Sequence, residues 1–194
     1  MVLGITGNIG CGKTTVAKMF EKLGAQVIEA DKVGHLLLKR KKVKERLVRA
    51  FGRSILDERG EVVRKNLRGI VFKDRKKLTQ LNRILHPLMA EEMKKMISSS
   101  PRPLIVVDAA VLFEAGWQSL VDKVLVVTSS YETQMRRIKE TTNLSLEELE
   151  GIMQAQLPQE EKVKRADYVI ENEGSLDELE SKVKKLWEEV LSCR

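Results

Sequence analysis

Aromatic residues make up only 4% of this 194-residue chain, two cysteines occur in it, and its longest apolar runs are short. Each scarcity excludes something. So few aromatics leave little material for the stacking platforms that grip single-stranded nucleic acid. No run approaches the roughly 18 apolar residues of a membrane span. Cys11 and Cys193 lie at opposite ends of the sequence, one in a loop and one in a tail expected to fray. No disulfide framework is therefore expected, and a reducing compartment fits. Met1 opens directly into an apolar stretch, so the expectation is a cytoplasmic chain without a signal peptide. Internal repeats and low-complexity tracts are also missing.

Charge is plentiful: 32% of the residues are charged, and 35 Lys and Arg against 28 Asp and Glu leave a net +7. That balance favours anionic ligands without separating polyphosphate, phosphorylated small molecule and nucleic acid. The length suits one α/β unit carrying small insertions.

One stretch narrows the choice. Gly7-Asn8-Ile9-Gly10-Cys11-Gly12-Lys13-Thr14, followed by Thr15, fits the G-x-x-x-x-G-K-[ST] phosphate loop at every fixed position. Glycines let the loop turn its N–H groups toward a polyphosphate, and a helix opening at Lys13 adds unpaired amides and the positive end of its dipole. Lys13 can reach the β- and γ-phosphates, and the Thr14 hydroxyl can ligate Mg²⁺. An apolar strand precedes the motif. Val16, Met19, Phe20 and Leu23 follow at helical spacing, with Gly24 as the stop. A nucleoside triphosphate, ATP or GTP, is the expected ligand. An Asn-Lys-x-Asp guanine-reading element is absent, which counts against a GTPase switch.

Further along, the runs 26–29, 104–108, 124–127 and 168–170 read as strands, giving with residues 1–6 a five-stranded parallel α/β core. Residues 31–100 hold no clear strand and read as a helical insertion, closed by the linker Ser98 to Pro103. Within it, a helix capped by Asp31 is expected to run into the basic stretch Lys39 to Arg49. That stretch is either a solvated face or a rim that attracts an anionic substrate. Asp74 reads as the cap of a long helix that Pro87 should kink or restart. Asp108 ends a buried strand, where ligands of open α/β sheets bind; it is either a Walker-B-like acid near Mg²⁺ or a strand-end turn residue. Residues 131–158 read as two polar helices with a break near Thr141-Thr142-Asn143 and a capping box at Ser145 and Glu148, suited to a lid. The core is thus expected in 1–30, 101–130 and 159–194, the last helix opening with a second capping box at Ser175 and Glu178.

These residues, taken together, resemble the dephospho-coenzyme A kinase family, relatives of the nucleoside-monophosphate kinases. The likeness covers nearly the whole chain: the loop, Val27 to Asp31, Phe51-Gly52, Arg64, Leu67-Arg68, His86-Pro87, Asp108, Leu112-Phe113-Glu114, Asp122, Gln134, Arg137, Gln156 and Lys162 to Asn172. It implies a P-loop kinase fold with a helical substrate domain and a short lid. It also implies ATP and Mg²⁺, and transfer of the γ-phosphoryl group to the ribose 3′-hydroxyl of dephospho-coenzyme A.

On this resemblance Asp31 is the base or orienting group, and Arg137 the lid arginine. Arg64, Phe72, His86, Leu112 and Glu114 line the acceptor site together with His35, while Asn172 is a candidate adenine contact. Glu29, Asn8 and Ala110 depart from the family pattern, as do Thr141 and Ile152 where lid arginines are usual; Arg136 or Lys139 stands in for them. A small-molecule acceptor with no nucleic-acid or membrane partner follows. Another nucleoside or nucleotide kinase is the near alternative, and a nucleotide-dependent switch or nucleic-acid ATPase the distant one.

Overall fold

The apolar runs pair side by side in one sheet. The computed structural model describes residues 1–142 and 144–192, so Cys193 of the tail and Asn143 of the lid break fall outside it. Its strands are β1 (Val2–Thr6), β2 (Gln26–Glu29), β3 (Ile105–Asp108), β4 (Lys123–Thr128) and β5 (Tyr168–Glu171), in the order β2-β3-β1-β4-β5 with every pairing parallel. β3 is buried along its whole length, as a central strand covered on both faces must be. One face packs Val16 and Phe20 of α1 (Lys13–Lys22) with Val183 and Leu186 of α9 (Leu176–Ser192). The other packs Val33 and Leu37 of α2 (Ala30–Leu38) with Met93 of α5 (Arg75–Ser98) and Trp117.

The insertion has an apolar cluster of its own. Val43 and Leu47 of α3 (Lys41–Phe51), Ile55, and Leu67 and Val71 of α4 (Arg64–Val71) meet away from the sheet. Two clusters in different directions explain why the expected single helix after β2 is broken. α2 turns its stripe to the sheet and α3 turns its stripe to the insertion. The chain pauses at Lys39 and Arg40, whose amides bond back to Leu36 and Leu37. Asp31 is not the cap: α2 starts one residue earlier, with Glu29 before it, and Asp31 lies in its first turn. Asp74 does cap α5, accepting from the Lys76 amide at 2.8 Å. That helix runs unbroken through Pro87 instead of restarting.

Past β4 come α6 (Tyr131–Thr141), α7 (Leu146–Ala155) and α8 (Gln159–Val163). Ser145 and Glu148 form the capping box at α7, and Ser175 and Glu178 exchange the same pair of bonds before α9. Two aspartates of the sequence pattern are strand ties: Asp122 accepts from the Val2 amide at 2.7 Å, and Asp167 from the Val124 amide at 2.8 Å.

Candidate active site

The parallel register brings three strand ends to one edge. Ile5 of β1 and Glu29 of β2 both pair with Asp108 of β3, so the loop after β1, the start of α2 and the Asp108 carboxylate converge. The loop from Gly7 leads straight into α1; the Lys13 amide turns to the Cys11 sulfur, and the amides of Gly10, Gly12 and Thr14 bond to no other described residue. They are free for an anion at the positive end of the helix. Gly7 admits no side chain, because a Cβ there would sit 2.6 Å from the Cys11 Sγ. Gly12 has φ +90°, outside the range that side chains favour.

Thr14 donates its hydroxyl to Asp108 Oδ2 at 2.9 Å, while Asp108 Oδ1 is buried without a partner. Burial raises the Asp108 pKa, opposed by Lys13 and the Thr14 bond. A hydroxyl beside a desolvated carboxylate with one unused oxygen suits a small hard cation that keeps waters and phosphate oxygens as its other ligands. No group of three His, Cys, Asp or Glu side chains able to hold a metal occurs among the described residues.

The loop is propped from three distant segments. Asn172, buried after β5, donates to the Cys11 carbonyl at 2.9 Å, and Arg137 of α6 reaches the same carbonyl and the Asn172 side chain at 3.5 Å. The side chain of Gln156 accepts from the Ile9 amide at 3.0 Å, and Asn8 donates to the Leu157 carbonyl at 3.3 Å. The expected adenine contact thus has its amide engaged beneath the loop. Cys11, fully buried, has its thiol pKa raised by that burial and is kept from reactivity.

Beside the loop a cavity of about 440 Å³ opens between the sheet edge, the helical insertion and α7. Lys13 and Asp31 face it from the sheet side, His35, Arg64 and Arg68 from the insertion. The Asp31 carboxylate makes no hydrogen bond or ion pair with another described residue. His35 has its pKa lowered by burial and then by Arg64; His86, packed edge-on to Trp117 with ring centres 5.1 Å apart, has its own lowered by burial. Phe72, His86 and Glu114 also line a second groove of about 670 Å³, whose outer wall carries Lys73, Arg75 and Arg83. α7 is seated against Phe72: a Cβ on Gly151 would come within 3.0 Å of it.

The expected residues Ile9, Lys13, Asp31, His35, Arg64, Phe72, His86 and Glu114 therefore gather at one cavity. Leu112 does not. It is fully buried against Gly4 of the central strand, where a Cβ would meet its Cδ1 at 2.9 Å. The sequence reading did not assign Arg68, Gln156 or Lys162 to the site. Lys162 is fully buried, donating to the Ala110 carbonyl at 2.7 Å and paired with Glu114 at 3.0 Å.

The comparisons agree with this geometry. The sequence profile of the dephospho-CoA kinase family matches residues 1–178. A dephospho-CoA kinase of Aquifex aeolicus is 45% identical over 191 residues, covering 97% of this chain and 96% of that protein. The crystal structure of TT1252 from Thermus thermophilus superposes with a TM-score of 0.82 at 35% identity, covering 97% of both chains. A shikimate kinase of Bacteroides thetaiotaomicron, at 16% identity and TM-score 0.58 over 98% of this chain and 98% of its own, shares the P-loop kinase fold. A phosphate loop, a cavity for a second substrate and a full-length sequence match converge on one conclusion: the chain belongs to the dephospho-CoA kinase family, as an ATP-dependent phosphotransferase of coenzyme A biosynthesis.

Proposed function

We propose that the chain delivers the γ-phosphoryl group of ATP to the ribose 3′-hydroxyl of dephospho-CoA, with the donor on the loop and the acceptor in the cavity beside it. The observation that carries this reading is the shared frontage of Lys13 and Asp31. An ammonium at the phosphate loop and an unpartnered carboxylate line the same cavity. Asp31 is suited to accept the proton of an attacking hydroxyl or to orient it. Lys13, the free loop amides and Arg137 are suited to spread the charge of the transferred group, and phosphoryl transfer is chiefly positioning and charge neutralisation. Thr14 and Asp108 would hold Mg²⁺, which neutralises charge on the β- and γ-phosphates when bound.

In this reading the insertion 31–100 is the acceptor domain and 131–158 the lid. Arg64 and Arg68 lie one turn apart, and the repulsion of Arg68 helps lower the Arg64 pKa behind burial. An anion relieves that repulsion, which suits the acceptor's diphosphate, and the second groove gives the remaining arm of the substrate a place to lie. Asn172 acts by shaping the loop under the nucleotide. The basic helix α3 is a solvated face: Lys44 of it pairs with Glu61, and Arg40 just before it pairs with Glu92. No helix among the described residues is long and apolar enough to cross a membrane, and the cytoplasm is the proposed location.

The test is an ADP-release assay with dephospho-CoA set against a panel of nucleosides and nucleotides, followed by location of the new phosphate by NMR. Turnover confined to dephospho-CoA, with a 3′-phosphate, is the expected result. Preference for another acceptor, or phosphate elsewhere on the product, overturns the proposal. Tight DNA binding that falls steeply with salt, together with inertness toward every small acceptor, would replace it with the nucleic-acid reading.

A further inference from the structure

A lysine with no exposed surface is unusual, because its ammonium must be stripped of water and compensated inside the protein. Lys162 is such a residue, and it lies at a junction. Its Nζ donates to the carbonyl of Ala110, just past the end of β3, and to Glu114 Oε1. The same Glu114 oxygen accepts from the Leu157 amide at 2.7 Å. Leu157 in turn receives the Asn8 amide of the phosphate loop, next to the bond between Gln156 and Ile9. The Ala110 carbonyl also accepts from Thr6 at the end of β1, at 3.2 Å. Glu114 Oε2 is buried without any partner, on a side chain that lines both cavities.

We infer that Lys162 is a positioning residue of the acceptor site: it fixes the Glu114 carboxylate at the cavity wall with Oε2 left for a substrate donor. The inference rests on the acceptor reading of Glu114. A purely structural role would be served as well by an apolar pair of similar volume, since buried ion pairs add little stability over such a pair. What an apolar pair cannot supply is an oriented acceptor oxygen at the cavity.

Steady-state kinetics with each substrate varied, together with thermal unfolding, on Lys162→Met, Glu114→Gln and the double variant test this. Misplacement of a positioned group by about an ångström costs on the order of a hundredfold in rate. Lys162→Met is therefore expected to lower kcat/KM for dephospho-CoA by about 10- to 100-fold, with KM for ATP little changed. The double variant removes the unpaired buried charge, so its melting temperature should recover toward wild type while the acceptor defect remains. Where Lys162→Met fails to fold, the double variant alone gives the acceptor reading.

Recovery of both stability and acceptor kinetics in the double variant assigns Lys162 a merely structural role and overturns the inference. So does a Lys162→Met enzyme in which the constants for both substrates fall together. Glu114→Gln separates the two layers. If it leaves the acceptor constants unchanged, the acceptor reading of Glu114 is wrong and the inference goes with it. If it impairs them while Lys162→Met does not, the inference alone fails.

Discussion

Gly12→Ala measures how tightly the phosphate loop is propped. Gly12 has φ +90°, and a Cβ there runs into the amide nitrogen of Asn172, well inside contact distance. Two costs follow. Holding a side chain at positive φ costs about 1–2 kcal/mol. Pushing the Asn172 amide aside breaks its 2.9 Å bond to the buried Cys11 carbonyl, which costs roughly 1–3 kcal/mol when the acceptor is left without that donor. Gly12→Ala should therefore lose about 2–5 kcal/mol, and with each kcal/mol moving the midpoint by roughly 2–4 °C in a chain of this length, Tm should fall by about 5–15 °C. Asn172→Ala alone loses the second contribution. In the Asn172→Ala background the first is all that Gly12→Ala adds. Thermal unfolding of the four proteins closes the cycle, and the coupling between the sites should be about 1–3 kcal/mol. Strictly additive losses would refute the steric argument. A raised KM for ATP in Asn172→Ala with unchanged Tm would instead make Asn172 a nucleotide contact and not a prop.

Asp31→Ala should reduce kcat by about 10²- to 10⁴-fold, the usual contribution of a positioned base, with Tm unchanged because the side chain is exposed; near wild-type kcat would remove it from the proton-transfer role. Asp108→Asn should raise the Mg²⁺ concentration needed for half-maximal turnover while leaving Tm at or above wild type, since the amide is not penalised by burial as the carboxylate is; a metal titration beside thermal unfolding reads both. His86 has a native pKa below its ordinary 6.5, so as pH falls through 6.5 the unfolded chain takes up a proton that the native ring does not, and stability declines until the lower native value is passed. Tm followed from pH 7.5 to pH 5.5 should fall less steeply in His86→Gln than in wild type, and equal slopes would mean that the ring is not held neutral by its packing.

The fold was legible where chemistry is local. Ile105 to Asp108 reads as a buried strand because an unbroken β-branched run has no polar face to offer water, and the structure buries all of it. The loop reads from its own residues, and Asp74 and Ser145 cap helices through side-chain bonds that span two or three positions. The division of the 31–49 stretch into α2 and α3 was not legible. Val33, Leu37, Val43 and Leu47 keep a helical spacing on each side of Arg40, and only the presence of two separate cores decides that the axis must turn between them. The same holds for Pro87. Proline forbids one amide bond, but burial of Met89 and Met93 on the following turns keeps the helix whole.

The site divides along a similar line. Lys13, Thr14 and Asp108 are legible because phosphate and metal chemistry demands those residue types at strand ends. Leu112 misled because its side chain packs against Gly4 while Glu114, two residues on, lines the cavity, a choice made by the space beside Gly4 and not by the motif. Lys162 entered the sequence reading only as the first residue of a segment that resembles the family, with no role attached to it. In sequence it is one basic residue among 35, set between Glu160-Glu161 and Val163-Lys164-Arg165. Its meaning comes from Glu114, on a segment that only the sheet order brings near, and from the loss of water around both. A charge becomes informative when it is buried, and burial is a property of the assembled core. The loop says what is bound; the pair 114 and 162 bears on how the second substrate is held, and it could be found only after β1, β3 and β4 were laid side by side.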